Sequence, residues 1–140
     1  MPLTMSQLLP LTGAVVVCTP TDTHADLIEA FVKAGKAVFC EKPIDLSLAR
    51  VKTCLEVVRA HKGTLMVGFN RRFSPLIMKM KELLKDKAAP KTFIITINAG
   101  EIPKEHWTQD VDIGGGRIVG EACHFIDLCS YLVGSKVIVQ

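Results

Sequence analysis

Apolar and polar positions along this chain follow two different periods. Ala14-Val15-Val16-Val17-Cys18 is an unbroken, mostly β-branched run, the pattern of a buried strand in a parallel sheet. Thr19-Pro20-Thr21-Asp22 turns the chain and offers helix caps. Ala25, Ile28 and Val32, with Leu27 and Phe31 beside them, fall on one helical face, and Gly35 stands where such a helix stops. The run Ala37–Cys40 predicts a second short strand. Ser47 or Asp45 caps a second helix, whose Leu48, Val51, Leu55 and Val58 share a face before Gly63 ends it. Leu65–Phe69 predicts a third strand, and Ser74-Pro75 opens a third helix carrying Ile77, Met80 and Leu84. The order β-α-β-α-β-α predicts an α/β fold with a parallel sheet and right-handed crossovers.

Past Lys91 the pattern changes. Thr92–Asn98 is β-rich and predicts one more strand. A polar loop of fifteen residues follows, from Ala99 to Ile113, carrying Glu101, His106, Trp107 and Asp110. Loops of that length in a compact domain are often functional. Gly114-Gly115-Gly116 leads into a helical segment reaching about Val133, with Gly134 as its stop, and Lys136–Val139 begins another strand. A boundary is expected near residues 88–91, the second part being the start of a domain rather than a whole one.

Composition narrows the function classes. With 140 residues, 49 % of them hydrophobic, the chain has material for one sizeable core. No apolar run approaches the ~20 residues of a membrane span, and Met1–Gly13 has no positive amino-terminal region, so neither an anchor nor a signal peptide is expected. A scattered net charge of +3 argues against nucleic acid as a partner. Five cysteines, an odd number without a C-x-x-C pair, read as small buried hydrophobes in a reducing compartment, the cytoplasm.

Two constellations could carry chemistry. Cys40-Glu41-Lys42-Pro43 ends the second strand, and Thr19-Pro20 and His24 follow the first. These groups lie just past the carboxyl ends of neighbouring strands, where open α/β sheets bind ligands. Pro43 also biases the backbone of Lys42 away from the helical region. In the helix Arg117–Asp127, Glu121 and His124 are three apart, as are His124 and Asp127, which brackets an imidazole with carboxylates on adjacent turns. Such carboxylates orient a histidine and tune its proton affinity for acid–base work. A salt-bridged helix surface accounts for the same spacing. His106, Cys123, His124 and Asp127 lack metal-ligand spacing, and no metal is expected.

Taken in order, a strand ending in Thr-Pro, then Gly-Lys-Ala-Val-Phe-Cys-Glu-Lys-Pro, then Met-Val-Gly-Phe-Asn-Arg-Arg-Phe-Ser-Pro, then Gly-Gly-Gly-Arg-x-x-Gly-Glu-x-Cys-His-Phe-x-Asp resemble the glucose–fructose oxidoreductase/inositol dehydrogenase (Gfo/Idh/MocA) family over about residues 13–140. The resemblance implies an NAD(P)-dependent oxidoreductase acting on a sugar, cyclitol or sugar derivative, with NAD or NADP as cofactor and a small molecule as substrate. It implies a partial Rossmann domain over residues 1–90 and the start of an α+β substrate domain over 91–140. By the same resemblance Lys42 and His124 are catalytic. Thr19, Pro20, His24, Glu41 and Lys42 line the cofactor, and Asn70, Arg71, Arg117, Glu121 and Asp127 face the substrate.

Two departures bear on this expectation. Many members carry an aspartate four residues before the helix histidine, where this chain has Gly120. Glu121 is adjacent, rotated by about 100° on a regular helix. No Gly-x-Gly-x-x-Gly precedes the first strand, so the chain reads as the back half of a Rossmann domain joined to the front of a substrate domain. The alternative is a catalytically inactive fragment or isoform serving as a binding or oligomerisation module. The first strand, as an unblunted sheet edge, also predicts self-association.

Overall fold

Three parallel strands in the order β1-β2-β3 organise the molecule. The computed structural model describes residues 4–87 and 89–135. A short helix α1 (Met5–Leu8) precedes β1 (Ala14–Val17), α2 (His24–Lys33), β2 (Ala37–Cys40), α3 (Leu48–Ala60), β3 (Leu65–Val67) and α4 (Pro75–Leu84). A long irregular stretch then leads to a π-helical turn (Ile118–Ala122), which runs directly into α5 (Cys123–Val133). The strands are in register, with Val17 beside Cys40 and Cys40 beside Val67. All three therefore release the chain at the same edge.

The core lies between the sheet and its two crossover helices. Val17, Val38 and Cys40 from the strands meet Ala25, Ile28, Phe31 and Val32 of α2 and Cys54 of α3. Ile28 and Cys54 are fully buried. Burying a side chain such as Ile28 contributes about 1.5–3 kcal/mol. Ser47 is the cap of α3, its side chain accepting from the Arg50 amide, while the Asp45 carboxylate accepts from the Ser47 amide and braces the turn before it. Gly35 and Gly134 end α2 and α5 in the left-handed region, at φ 73° and 77°. Only a residue without a Cβ adopts this backbone freely.

Three expectations are revised. The run 14–18 predicted a buried strand, yet Val16 is 68 % exposed, as is about half of Met66 on β3. The crossover helices cover the Val17–Val38–Cys40 face, and Val16, one residue out of phase, points the other way. Strands β1 and β3 stop at Val17 and Val67, short of Cys18 and Phe69, where the chain bends into the loops of the sheet edge. Thr92–Asn98 forms no ladder. Its β-rich side chains find no partner strand among the described residues, and Ile94 is 90 % exposed. Composition alone does not make a strand without a neighbour to accept its backbone groups. The expected strand Lys136–Val139 lies outside the described residues.

Helix α5 is fastened to the first part of the chain by charged groups. Arg72, in the 3-10 turn Asn70–Phe73, grips Asp127 with two parallel hydrogen bonds, one of them at 2.7 Å. The Arg71 guanidinium lies 4.5 Å over the Phe125 ring. Lys81 of α4 donates to the carbonyls of Tyr131 and Leu132 at the carboxyl end of α5, where the helix dipole favours a cation.

Candidate active site

A parallel sheet gathers the loops after its strands, and at this edge they enclose a cleft of about 570 Å³. That size is in the range of small-molecule sites, ~300–1,000 Å³. Cys18, Thr19 and Thr21 after β1 form one wall, with Glu41 and Lys42 after β2. Opposite them stand the loop from Glu101 to Thr108 and the stretch Gly114–Glu121.

His24 is the post between the two strand-end loops. It is 2 % exposed, and its ring nitrogens lie 2.7 Å from the carbonyl oxygens of Thr19 and Pro43. With both nitrogens turned to the main chain, the ring fixes the loops that carry Thr19-Pro20 and Glu41-Lys42. Thr23 adds to this, donating to the Pro20 carbonyl at 2.7 Å. The Lys42–Pro43 peptide is cis.

Lys42 crosses the cleft floor, and its Nζ donates to the carbonyl oxygen of Gly120 at 2.5 Å. This contact joins positions 78 residues apart. It brings the strand-end lysine to the helix the sequence marked for chemistry. Glu41 leans over Gly68, whose missing side chain leaves it room: a Cβ there would lie 3.1 Å from the carboxylate.

The helix residues divide. Glu121 and Arg117 line the cleft and also a second, adjoining depression of about 430 Å³ with Arg71, Asn98 and Phe125. Arg117 donates to the Gly100 carbonyl at 3.3 Å. His124 does not line the cleft wall. It is 7 % exposed, its ring set edge-on to Phe69 at 6.3 Å, and its Nδ1 is buried without a hydrogen-bond partner. One carboxylate oxygen of Glu121, Oε2, is likewise buried and unpartnered. Burial holds the His124 imidazole below its ordinary proton affinity, and the nearby positive charges of Lys42 and Arg71 add to this, while Glu121 and Glu41 oppose it. The ring is therefore biased to the neutral form, which accepts a proton.

Asp127 is engaged by Arg72 rather than turned to the cleft. Asn70 is exposed and lines neither depression. The sequence pattern did not assign Thr21, Glu101, His106 and Trp107 to the site, although the length of the loop marked it as functional. His106 and Trp107 stack at 5.9 Å on the cleft wall. Among the described residues no group of three or more His, Cys, Asp or Glu side chains is placed to hold a metal ion.

Residues 4–69 match the family model described as "Oxidoreductase family, NAD-binding Rossmann fold". The inositol 2-dehydrogenase of Rhizobium meliloti is 46 % identical over 88 % of this chain, and the matched part is 37 % of that enzyme. A crystal structure of an NAD-binding protein from Listeria innocua superposes with a TM-score of 0.81 at 28 % identity, covering 97 % of this chain and 42 % of that one. Levoglucosan dehydrogenase in complex with NADH and levoglucosan superposes with a TM-score of 0.75 at 29 % identity, covering 90 % of this chain and 36 % of that one. The chain thus spans a little over a third of the length of these proteins. With its strand order, its Glu-Lys-Pro turn and its Gly-Gly-Gly helix, the chain belongs to the Gfo/Idh/MocA family of oxidoreductases.

Proposed function

We propose that the cleft is the reactive end of an NAD(P)-dependent dehydrogenase site acting on a hydroxyl of a sugar, cyclitol or sugar derivative. The observation that carries this reading is the meeting of Lys42 with the helix of Glu121 and His124, where two buried polar atoms have no partner among the described residues. Buried polar atoms are rarely left unpaired in a folded protein. A polyol hydroxyl supplies the donor and acceptor that such atoms lack. The names of the relatives, an inositol dehydrogenase and a levoglucosan dehydrogenase with NADH, support the same class.

The residues fit the nicotinamide end of a dinucleotide. Thr19, Glu41 and Lys42 would border it, with Pro20 next to Thr19 in the same turn and His24 bracing their loops. NAD(P), when bound, supplies the acceptor for the hydride that leaves the carbinol carbon. The chain's own work is on the proton. Lys42 holds the substrate oxygen, and the unpartnered Nδ1 of His124 takes the hydroxyl proton as the carbonyl forms. Arg117, Glu121 and Arg71 flank the substrate, Asn70 lies outside both depressions, and Asp127 acts through Arg72. Residues 1–90 belong to the nucleotide-binding domain and 91–140 to the substrate domain. The free cysteines, with Cys40 and Cys54 in the core, support a cytoplasmic setting.

Lys42→Ala and His124→Ala, made in a protein extended to the full length of these relatives, are each expected to lower kcat by about 10²–10⁴, the usual worth of a general acid or base. Full activity in His124→Ala would leave the ring a packing group against Phe69. A second reading, a binding or oligomerisation module, is favoured by the outward apolar face of Val16 and Met66.

A further inference from the structure

Position 120 lies on the π-helical turn, and three close approaches of backbone meet there. A Cβ on Gly120 would lie 2.7 Å from the carbonyl oxygen of Gly114. A Cβ on Gly114 would lie 2.5 Å from Cα of Thr108 and 2.7 Å from the carbonyl oxygen of Trp107. Main chain thus rests on main chain from the Trp107–Thr108 loop, through Gly114, to Gly120. At the end of this stack the Gly120 carbonyl receives Lys42 at 2.5 Å, with the Cys123 thiol at 3.7 Å from the same oxygen. The π-turn carries one residue more than an α-turn, which loosens the helical ladder at this spot. Such turns occur often at functional sites.

We propose that Gly120 is a positioning residue: its carbonyl, set by the π-turn and the glycine stack, is the fixed acceptor that holds the Lys42 ammonium in the cleft. Glu121, the next residue of the turn, supplies the carboxylate that faces His124. Position 120 therefore does not accept the aspartate that the family pattern led one to expect there. Any side chain at 120 drives its Cβ into the Gly114 carbonyl, displaces the turn and releases Lys42. The buried, unpartnered Oε2 of Glu121 and Nδ1 of His124 support the second half of the arrangement. The groups facing His124 are Lys42, Arg71, Glu41 and Glu121, with Phe69 at its edge.

This inference rests on Lys42 being a substrate-facing cation, but its test reads the lysine directly and needs no turnover. The 140-residue chain is trace-acetylated with an N-hydroxysuccinimide ester, and the rate at each lysine is followed by mass spectrometry, with exposed Lys52 and Lys104 as references. Gly120→Ala and Gly120→Asp are expected to raise the relative rate at Lys42 by roughly tenfold, the worth of one charge-assisted hydrogen bond. Gly134→Ala strains the far end of α5, at φ 77°, and is expected to leave the Lys42 rate unchanged. Equal rates in wild type and Gly120→Ala, or an equal rise in Gly134→Ala, would overturn the proposal. Should the Gly120 variants not fold, the Gly120 carbonyl ¹³C resonance decides it: it moves upfield in Lys42→Met if the bond exists and stays in place if it does not. For Glu121, Glu121→Gln is expected to lower the His124 titration midpoint further. An unchanged midpoint would mean that the carboxylate faces elsewhere.

Discussion

Replacing His24 by phenylalanine isolates the part of this site that is pure scaffolding. The ring is 2 % exposed and bridges the Thr19 and Pro43 carbonyls at 2.7 Å each. Phenylalanine keeps most of the volume but donates nothing. Either neutral tautomer of the ring carries a single N–H, so the substitution takes the donor from one carbonyl oxygen. An orphaned buried polar group costs about 1–3 kcal/mol. The more apolar ring offsets part of this through burial, by on the order of 1 kcal/mol. A net loss of ~1 kcal/mol remains, against the ~5–15 kcal/mol that stabilises a typical domain. With a urea slope of about 1–3 kcal/mol per molar, the unfolding midpoint should fall by roughly 0.5 M. Far-UV circular dichroism of the 140-residue chain in urea at pH 7 measures it. His61→Phe, at an exposed position, is the control and should stay within about 0.5 kcal/mol. A His24→Phe midpoint indistinguishable from that control would refute the reasoning. The strand-end loops would then be held by something other than this imidazole.

Three further outcomes are expected. In NMR titrations His124 should titrate below the ordinary histidine value, with Lys42→Met moving it back up, because burial and then the Lys42 charge depress it. As the unfolded chain binds that proton first, stability tied to His124 is fully present above about pH 6.5 and is lost as pH falls towards the folded midpoint; a midpoint at or above the ordinary value refutes this. Calorimetry of the chain with NADH should show nothing tighter than about 1 mM, near −4 kcal/mol, since the sequence holds no Gly-x-Gly-x-x-Gly to offer its amides to a pyrophosphate; micromolar binding contradicts it. Light scattering should find self-association rather than a monodisperse 15.3 kDa species, because β1 is an edge strand and its Val16 stands outward; the residue to change first is Val16→Lys.

The crossover half of the fold is legible in the sequence because burial imposes a period. Ala25, Ile28 and Val32 recur at helical spacing since only that face of α2 meets the sheet, and all three are buried. Gly35 and Gly134 mark helix ends because both sit at positive φ. Where burial is one-sided or partners are missing, the pattern misleads. Val15-Val16-Val17 reads as uniformly apolar, but its middle residue faces away from the helices. Thr92–Asn98 has strand-forming residues and, among the described residues, no strand to pair with. A short apolar run specifies a preference, and the neighbour decides whether it is met.

The site was half legible for a related reason. Lys42 and His124 are visible as residue types at suggestive spacing. The contact that unites the lysine with the helix is made to a backbone carbonyl, and a carbonyl belongs to every residue alike. What the sequence does record is the absence of side chains: Gly114 and Gly120 are glycines because main chain lies 2.5–2.9 Å and 2.7 Å from where their Cβ atoms would be. Read as a missing aspartate, Gly120 looks like a loss. Read through its contacts, it lets main chain stack from Thr108 through Gly114 to the carbonyl that receives Lys42, and in the proposed arrangement Glu121, on the same π-turn, supplies the carboxylate. In a site built from backbone, a glycine that breaks a motif can be the residue that the geometry tolerates least in any other form.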